Sequence, residues 1–322
     1  MLTERINVDK PLWDQSSFYG RFKHFVWLTS PVNCFHSPND FYKAKKLIED
    51  YKAHKTPPGT DKKQILHSLR LYKSAFHPDS GELQNVFGRM SFQVPGGLLI
   101  TSAMLHFYKT VPQVMFWQWF NQSFNALVNY TNRNANSHVS PKQLVTAYIL
   151  ATTCALGTAV GLNKHFGSRS SPIFKRLVPF VAVASSNFVN IPLMRFVELT
   201  EGIDLKESET GVNVCKSKAA AALGISCVVL SRITIAAPGM IFLPFVMERM
   251  EKKEWFLKRK FLHIPFQGFG IGLILCVMVP FGCALFPQTI TISKNTLEKY
   301  DPTAYKSIKD TNINQLEFNK GL

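Results

Sequence analysis

Five strongly apolar stretches between residues 95 and 286 constrain this chain more than any motif in it. They run over about 95–119, 143–163, 176–194, 219–247 and 266–286, and none contains an Asp or Glu. A bilayer core asks for about 20 consecutive apolar residues in a helix. The second, fourth and fifth stretches meet that length, and the third, bounded by Arg176 and Arg195, is short. The first carries His106 and Lys109, so it reads as a crossing or as a re-entrant or interfacial element. The pattern predicts an all-α membrane protein: a bundle of about five transmembrane helices over 95–286, an N-terminal helical soluble arm over 1–94 and a polar C-terminal tail over 287–322.

Within the arm, Phe22, Phe25 and Val26 fall on one helical face that suits a membrane surface or the bundle. A charged helix is predicted from Asp40 to His54, followed by a Pro-Pro-Gly turn. A second helix is predicted over Lys62 to Ala75, capped by Thr60 or Asp61. The net charge of +16 is scattered rather than striped and comes with no nucleic-acid motif. It reads as basic loops facing anionic lipid, with no nucleic-acid partner. Loops 164–177 and 248–265 carry ten Lys and Arg, whereas loops 120–142 and 193–218 carry six. That bias places the first pair on the negative-potential side, and with an odd span count the N-terminal arm joins them. Were the first stretch not a single crossing, the arm would move to the opposite face.

Six cysteines form no CxxC and no zinc spacing, so neither a metal nor a disulfide framework is expected. The first residues hold no secretory core, and Glu4, Asp9 and Asp14 break the acid-poor pattern of a presequence. No nucleophile elbow, P-loop or dinucleotide fingerprint is present, so no enzyme and no cofactor is expected.

Four places hold the polar residues that matter. The segment His77-Pro78-Asp79-Ser80-Gly81-Glu82 resembles the J-domain motif, but it leads into the membrane rather than between two antiparallel helices. It therefore reads first as a turn in which Gly81 takes a positive φ. An acid–base site using His77, Asp79 and Glu82 is the alternative. Asn121, Asn125, Asn129 and Asn132 recur at helical spacing and share a face, either lining a polar cavity or joining helices. The third stretch carries Asn187, Asn190 and Pro192, the last freeing a carbonyl one turn earlier. The fourth carries Ser231 and Arg232, then Pro238-Gly239, which is expected to break the helix. An arginine at mid-span costs about 2.5–3.5 kcal/mol unless partnered. With no acid in the spans, its partner must be a carbonyl, an asparagine, an acid of the arm or a substrate carboxylate.

HPDSGE (77–82), GRMSFQVPGG (88–97), FWQWFNQSFNALVNYTNRNA (116–135), NIPLMR (190–195), SRITIAAPGM (231–240) and the terminal FNKGL (318–322) closely resemble the sideroflexin family, from about Pro11 to Leu322. Ser80 stands where relatives often have Thr. The resemblance implies a multi-pass mitochondrial inner-membrane protein of about five spans, its arm on the matrix side. It also implies transport of serine and other small neutral amino acids such as alanine, cysteine or glycine, feeding one-carbon metabolism, with indirect links to iron and haem homeostasis. A homo-oligomer or an inner-membrane complex would fit either role. On that reading a zwitterionic amino acid meets Arg232 or freed N–H groups near Pro238-Gly239 with its carboxylate. Asn187, Asn190 and the Pro192-freed carbonyl receive its ammonium, and Asn125 or Asn129 reads its hydroxyl. The competing reading is a scaffold for assembly of inner-membrane complexes or iron-handling enzymes.

Overall fold

A computed structural model describes residues 5–77, 80–132, 140–165, 172–208, 210–311 and 313–321. The arm folds as three helices, α1 (Phe18–Leu28), α2 (Pro38–Lys52) and α3 (Lys62–Ala75). Ser37 and Asp40 form a capping box at the start of α2, and Asp61 with Gln64 forms another at the start of α3. These close the orphan N–H groups of each first turn. The predicted α1 face goes to the bundle. Phe25 and Leu28 pack on Ala284 with Phe22 beside them, and the Arg21 Nε–H donates to the Ala284 carbonyl at 2.9 Å. Val26 remains exposed.

The first apolar stretch is two helices rather than one crossing. α4 (Gln93–Phe107) and α5 (Val111–Thr131) form an antiparallel hairpin. Phe107 stacks on Trp117 near the tip, and a Cβ on Gly96 would touch Phe124 near the base. Thr110 and Gln113 make a capping box, and Pro112 pre-sets the first turn of α5, so the chain restarts a helix there. The base is clamped: the Asn132 amide donates to the Gly88 carbonyl at 3.0 Å and accepts from Gln84 at 2.9 Å.

α6 (Pro141–His165), α7 (Pro172–Met194), α9 (Lys218–Glu251) and α11 (His263–Ala284) complete the bundle, with short α8 (Phe196–Glu201) and α10 (Glu254–Leu257) at their ends. Four segments are long and apolar enough to cross a membrane: Lys142–Leu162, Leu177–Met194, Lys218–Glu251 and His263–Ala284. Neighbouring helices run antiparallel. α6 presents Ala147, Ala151, Ala155 and Ala159, all buried, as a small-residue seam that lets helices approach closely.

α9 is one continuous helix of 34 residues with Pro238 and Pro244 inside it. The expected break at Pro238-Gly239 does not occur, because neighbours on both sides hold the helix through a missing N–H. Each proline still leaves a carbonyl one turn earlier without its intrahelical donor. Pro192 likewise lies inside α7, in its last turn.

The stretch from 287, expected as a polar tail, is folded. Strands β1 (Ile203–Glu207), β2 (Asn213–Ser217), β3 (Thr289–Ser293) and β4 (Gln315–Asn319) form an antiparallel sheet in the order β2-β1-β4-β3. Helices α12 (Lys294–Tyr300) and α13 (Pro302–Ile308) close its core of Leu205, Ile292, Leu297, Ile308, Leu316 and Phe318. One carboxylate joins this unit to the bundle. Asp301 caps α13 through Ala304 and accepts from Ser217 Oγ at 2.7 Å and from the Lys218 and Ala219 N–H groups at the start of α9.

Because the α4–α5 hairpin returns to the end where it began, the arm and the sheet share one end of the bundle. The end of α6, the start of α7 and the α9–α11 turn lie at the other. The arm was expected on the side of loops 164–177 and 248–265, and the hairpin is the reason it lies at the opposite end to those helix ends.

Candidate functional site

α5 is turned inside out. Val111, Met115, Phe116, Trp119, Phe120, Leu127 and Tyr130 face outward, while Gln118, Asn121 and Gln122 are buried and Asn125 and Asn129 half-buried. That is the polarity of a helix whose outer face meets lipid and whose inner face lines the interior. The Asn-X-Ser/Thr triplets at Asn121 and Asn129 both lie within this helix. The asparagine face predicted from spacing is present, and Gln118 and Gln122 extend it towards the hairpin tip. The i,i+4 spacing of those two amides was the signal for them.

Asn129 meets Arg232. The guanidinium Nη2 donates to Asn129 Oδ1 at 3.4 Å, bringing the amide face of α5 to the middle of α9. Among the described residues this long contact is the hydrogen bond Arg232 makes, out of five N–H donors. A half-buried arginine with one weak neutral partner has most of its hydrogen-bonding capacity unmatched within the protein and no acidic partner among the described residues.

Other polar groups of the interior are without protein partners. They are Ser102 Oγ, Gln118 Oε1, Asn121 Nδ2, both amide atoms of Gln122, Thr152 Oγ1, Ser186 Oγ and Ser231 Oγ. Gln118 keeps one bond, from its Nε2–H to Tyr108 at 2.9 Å. An unmade buried hydrogen bond costs about 1–3 kcal/mol, against a whole-protein stability of about 5–15 kcal/mol.

Of the other predicted residues, Asn190 is buried one turn after Ser186 on α7, and Asn187 is half-buried beside it. Ser231 is buried next to Arg232. Pro192 sits near the α7 end, away from mid-helix. Because α9 is unbroken at Pro238 and Gly239, no freed N–H groups arise there for a carboxylate, and that part of the expected site is withdrawn. His77 is joined to Gly81 and Glu82 as at the two ends of a turn. His77 N–H donates to Glu82 O at 2.9 Å, Gly81 N–H to His77 O at 3.0 Å, and Gly81 has φ +65°. Lys45 holds the Gly81 carbonyl at 2.8 Å, fixing the turn on α2. Pro78 and Asp79 lie outside the described residues, so the geometry of an acid–base trio is not placed.

Sequence reasoning missed a second cationic locus, at the arm end of the bundle. Lys320, 3% exposed, contacts Gln288 Oε1 at 3.4 Å and the Gly321 carbonyl at 3.3 Å. Arg195 donates to the Lys320 carbonyl at 2.6 Å and pairs with Glu198. Burial pushes the Lys320 ammonium below its ordinary range. The Cys283 and Cys227 thiols act the other way, while Arg195 and Arg21 reinforce the lowering. Two solvent-open hollows lie on the arm instead, one of them about 380 Å³ and lined by Arg5, Leu12 and Trp13. Neither is lined by a bundle residue.

A sequence profile described as Sideroflexins matches residues 7–322. The chain is 49% identical to Sideroflexin-2 of Drosophila melanogaster and 50% identical to Sideroflexin-2 of Homo sapiens, each over 98% of both chains. It is 43% identical to Sideroflexin-1 of Homo sapiens over 100% of this chain and 99% of that one. No solved structure matches. A bundle with four membrane-length helices, a match over nearly the whole chain and identities near one half together make this chain a membrane protein that belongs to the sideroflexin family.

Proposed function

We propose that the protein carries small neutral amino acids, serine foremost, across the mitochondrial inner membrane and so supports one-carbon metabolism. The observation that carries the proposal is Arg232: a cation inside the bundle, with no acidic partner among the described residues, held by one long contact to Asn129. A substrate carboxylate would complete it, while amide oxygens such as those of Asn187 and Asn190 would receive the ammonium and the amide face of α5 the uncharged side chain. Such a site selects a zwitterion without taking up net charge, which is the recognition a neutral amino acid needs. No catalytic or cofactor chemistry enters this account. In isolated mitochondria, Arg232→Ala lowers serine uptake far more than it lowers protein abundance. Equal losses of both would reduce the arginine to a structural role.

Applied to this architecture, the charge bias puts loops 164–177 and 248–265 on the matrix side and the arm and sheet on the other. The second reading, a scaffold for inner-membrane complexes or iron-handling enzymes, draws support from that same end. There Tyr19, Val32 and Phe35 of the arm are exposed, Phe35 at 89%. Substituting those three would abolish a scaffold's role and leave uptake by the purified protein intact.

A further inference from the structure

We infer that helix α1 of the arm is an interfacial membrane anchor. Its outer residues, Phe18 and Phe22 with Tyr19, Lys23 and Val26, lie in lipid beside the end of α11, where acyl chains give way to head groups. The partner is the bilayer itself, and neither reading of the function is needed for it.

α11 marks where the lipid is. Phe269, Leu273 and Val277 recur every four residues along it and are all exposed, an apolar stripe on the outside of a membrane-length helix. Phe281 is the next member of that row, and there the stripe passes to α1. The Phe18 ring meets Phe281 edge-on at 5.3 Å between centroids, and Phe22 stacks on Phe18 at 6.1 Å. At 1.5 Å per residue, Phe281 lies about 27 Å along the helix from His263, against a hydrocarbon core of about 30 Å. α1 therefore joins the lipid-facing surface at the edge of the core.

The two faces of α1 differ as an interfacial helix requires. Inward, the buried Arg21 guanidinium is tied to the carbonyls of Gln15, Ser16 and Ala284, and Phe25 and Leu28 pack on Ala284. Outward, Tyr19, Lys23 and Val26 follow at i, i+4 and i+7 and are exposed, with Phe18 beside them. The Lys23 ammonium lies 4.3 Å over the Tyr19 ring. No Asp or Glu occurs between Phe18 and Leu28 to oppose an anionic surface. Tyrosine presents an apolar ring with a polar tip, and lysine an apolar stem with a charged head. Such a row suits the depth at which ester carbonyls and phosphates begin. A soluble partner seated on it would have to displace lipid from Val277 and Phe281 as well. Of the three exposed arm residues a scaffold would use, Tyr19 then belongs to the lipid, and Val32 and Phe35 lie beyond the end of α1.

The test uses the purified full-length protein in phosphatidylcholine liposomes. They are doped with phospholipid that carries a photoactivatable diazirine either beside the glycerol backbone or at the end of an acyl chain. Labelled residues are read by mass spectrometry, with 269–277 as the reference for lipid and the exposed Val212 of the sheet unit as the reference for water. Residues 18–26 are expected to take label from the backbone-borne probe at least tenfold above Val212, and several-fold less from the chain-end probe. The stretch 269–277 takes label strongly from the chain-end probe. Labelling of 18–26 at the level of Val212 would put the row in water and overturn the anchor. Stronger labelling from the chain-end probe would place α1 within the hydrocarbon and overturn its interfacial depth. Labelling in liposomes that disappears in the native membrane would give the row to a protein partner and overturn the choice of lipid.

Discussion

Asp301 fastens the C-terminal unit to the bundle, and its removal gives a worked prediction. Its Oδ2 accepts from Ser217 Oγ at 2.7 Å, Lys218 N at 2.8 Å and Ala219 N at 3.3 Å, and its Oδ1 from Ala304 N at 3.1 Å. One carboxylate thus caps α9 and α13 together and is 8% exposed. Losing a cap costs about 0.5–2 kcal/mol, and a hydrogen bond to a charged group about 1.5–3 kcal/mol. Two caps sharing one acceptor place Asp301→Ala at about 3–4 kcal/mol of local stability. Asp301→Asn, keeping one carbonyl oxygen, should lose about half of that. Burial alone would raise the carboxyl pKa, but the bonds from Ser217, Ala304, Ala219 and Lys218 hold it below the ordinary value of 3.8. A depressed folded-state pKa contributes stability that is present above the unfolded value and lost as pH falls through the folded one. The advantage of Asp over Asn is therefore flat above about pH 4 and shrinks below it. Hydrogen exchange of the β1 and β4 amides in detergent-solubilised protein measures this. Protection in Asp301→Ala within about 0.5 kcal/mol of the unaltered protein would refute the reasoning.

Further outcomes follow from the packing and the topology. A Cβ on Gly282 would lie 2.3 Å from Ile235 Cγ1 and 3.1 Å from the Ser231 carbonyl, so Gly282→Ala forces α9 and α11 apart. Overpacking of this kind costs about 1–3 kcal/mol and should lower the melting temperature and steady-state abundance; normal values of both would contradict the close approach. Tags at the two termini should show the same protease protection in intact and outer-membrane-permeabilised mitochondria, since arm and sheet share one end. Opposite protection would show that the α4–α5 hairpin does not return.

The sequence made the bundle legible because bilayer burial imposes long uninterrupted apolar runs, and the second to fifth stretches lie within helices α6, α7, α9 and α11 apart from their terminal residues. Helix α3 was readable to the residue, since Asp61 and Gln64 are a capping box. The first stretch was mistaken as to number because hydropathy does not register a helix restart. The signal was nevertheless present in Thr110, Pro112 and Gln113, which have the spacing of a cap. The C-terminal sheet was not legible, because β1 and β4 are five residues each and pair across more than a hundred positions. Their short alternation, as in the buried Leu316 and Phe318, is lost in a polar background. At the site, helical spacing gave the asparagine face, whereas the want of acids left Arg232 a carbonyl, an asparagine, an acid of the arm or a substrate carboxylate, and it is the folded chain that brings Asn129 to it. Pro238 misled because a proline enclosed by neighbouring helices need not break the one it sits in. Lys320 was out of reach, since its burial depends on the tail folding back under the bundle.

The most direct test of the carrier account is uptake of labelled L-serine into liposomes holding the purified protein, with Arg232→Ala in parallel. The account predicts saturable uptake by the unaltered protein, reduced by competing small neutral amino acids and at least tenfold lower in the arginine variant at equal reconstitution. Well-folded protein that takes up no more serine than empty liposomes would contradict it and transfer the argument to the exposed surface of the arm.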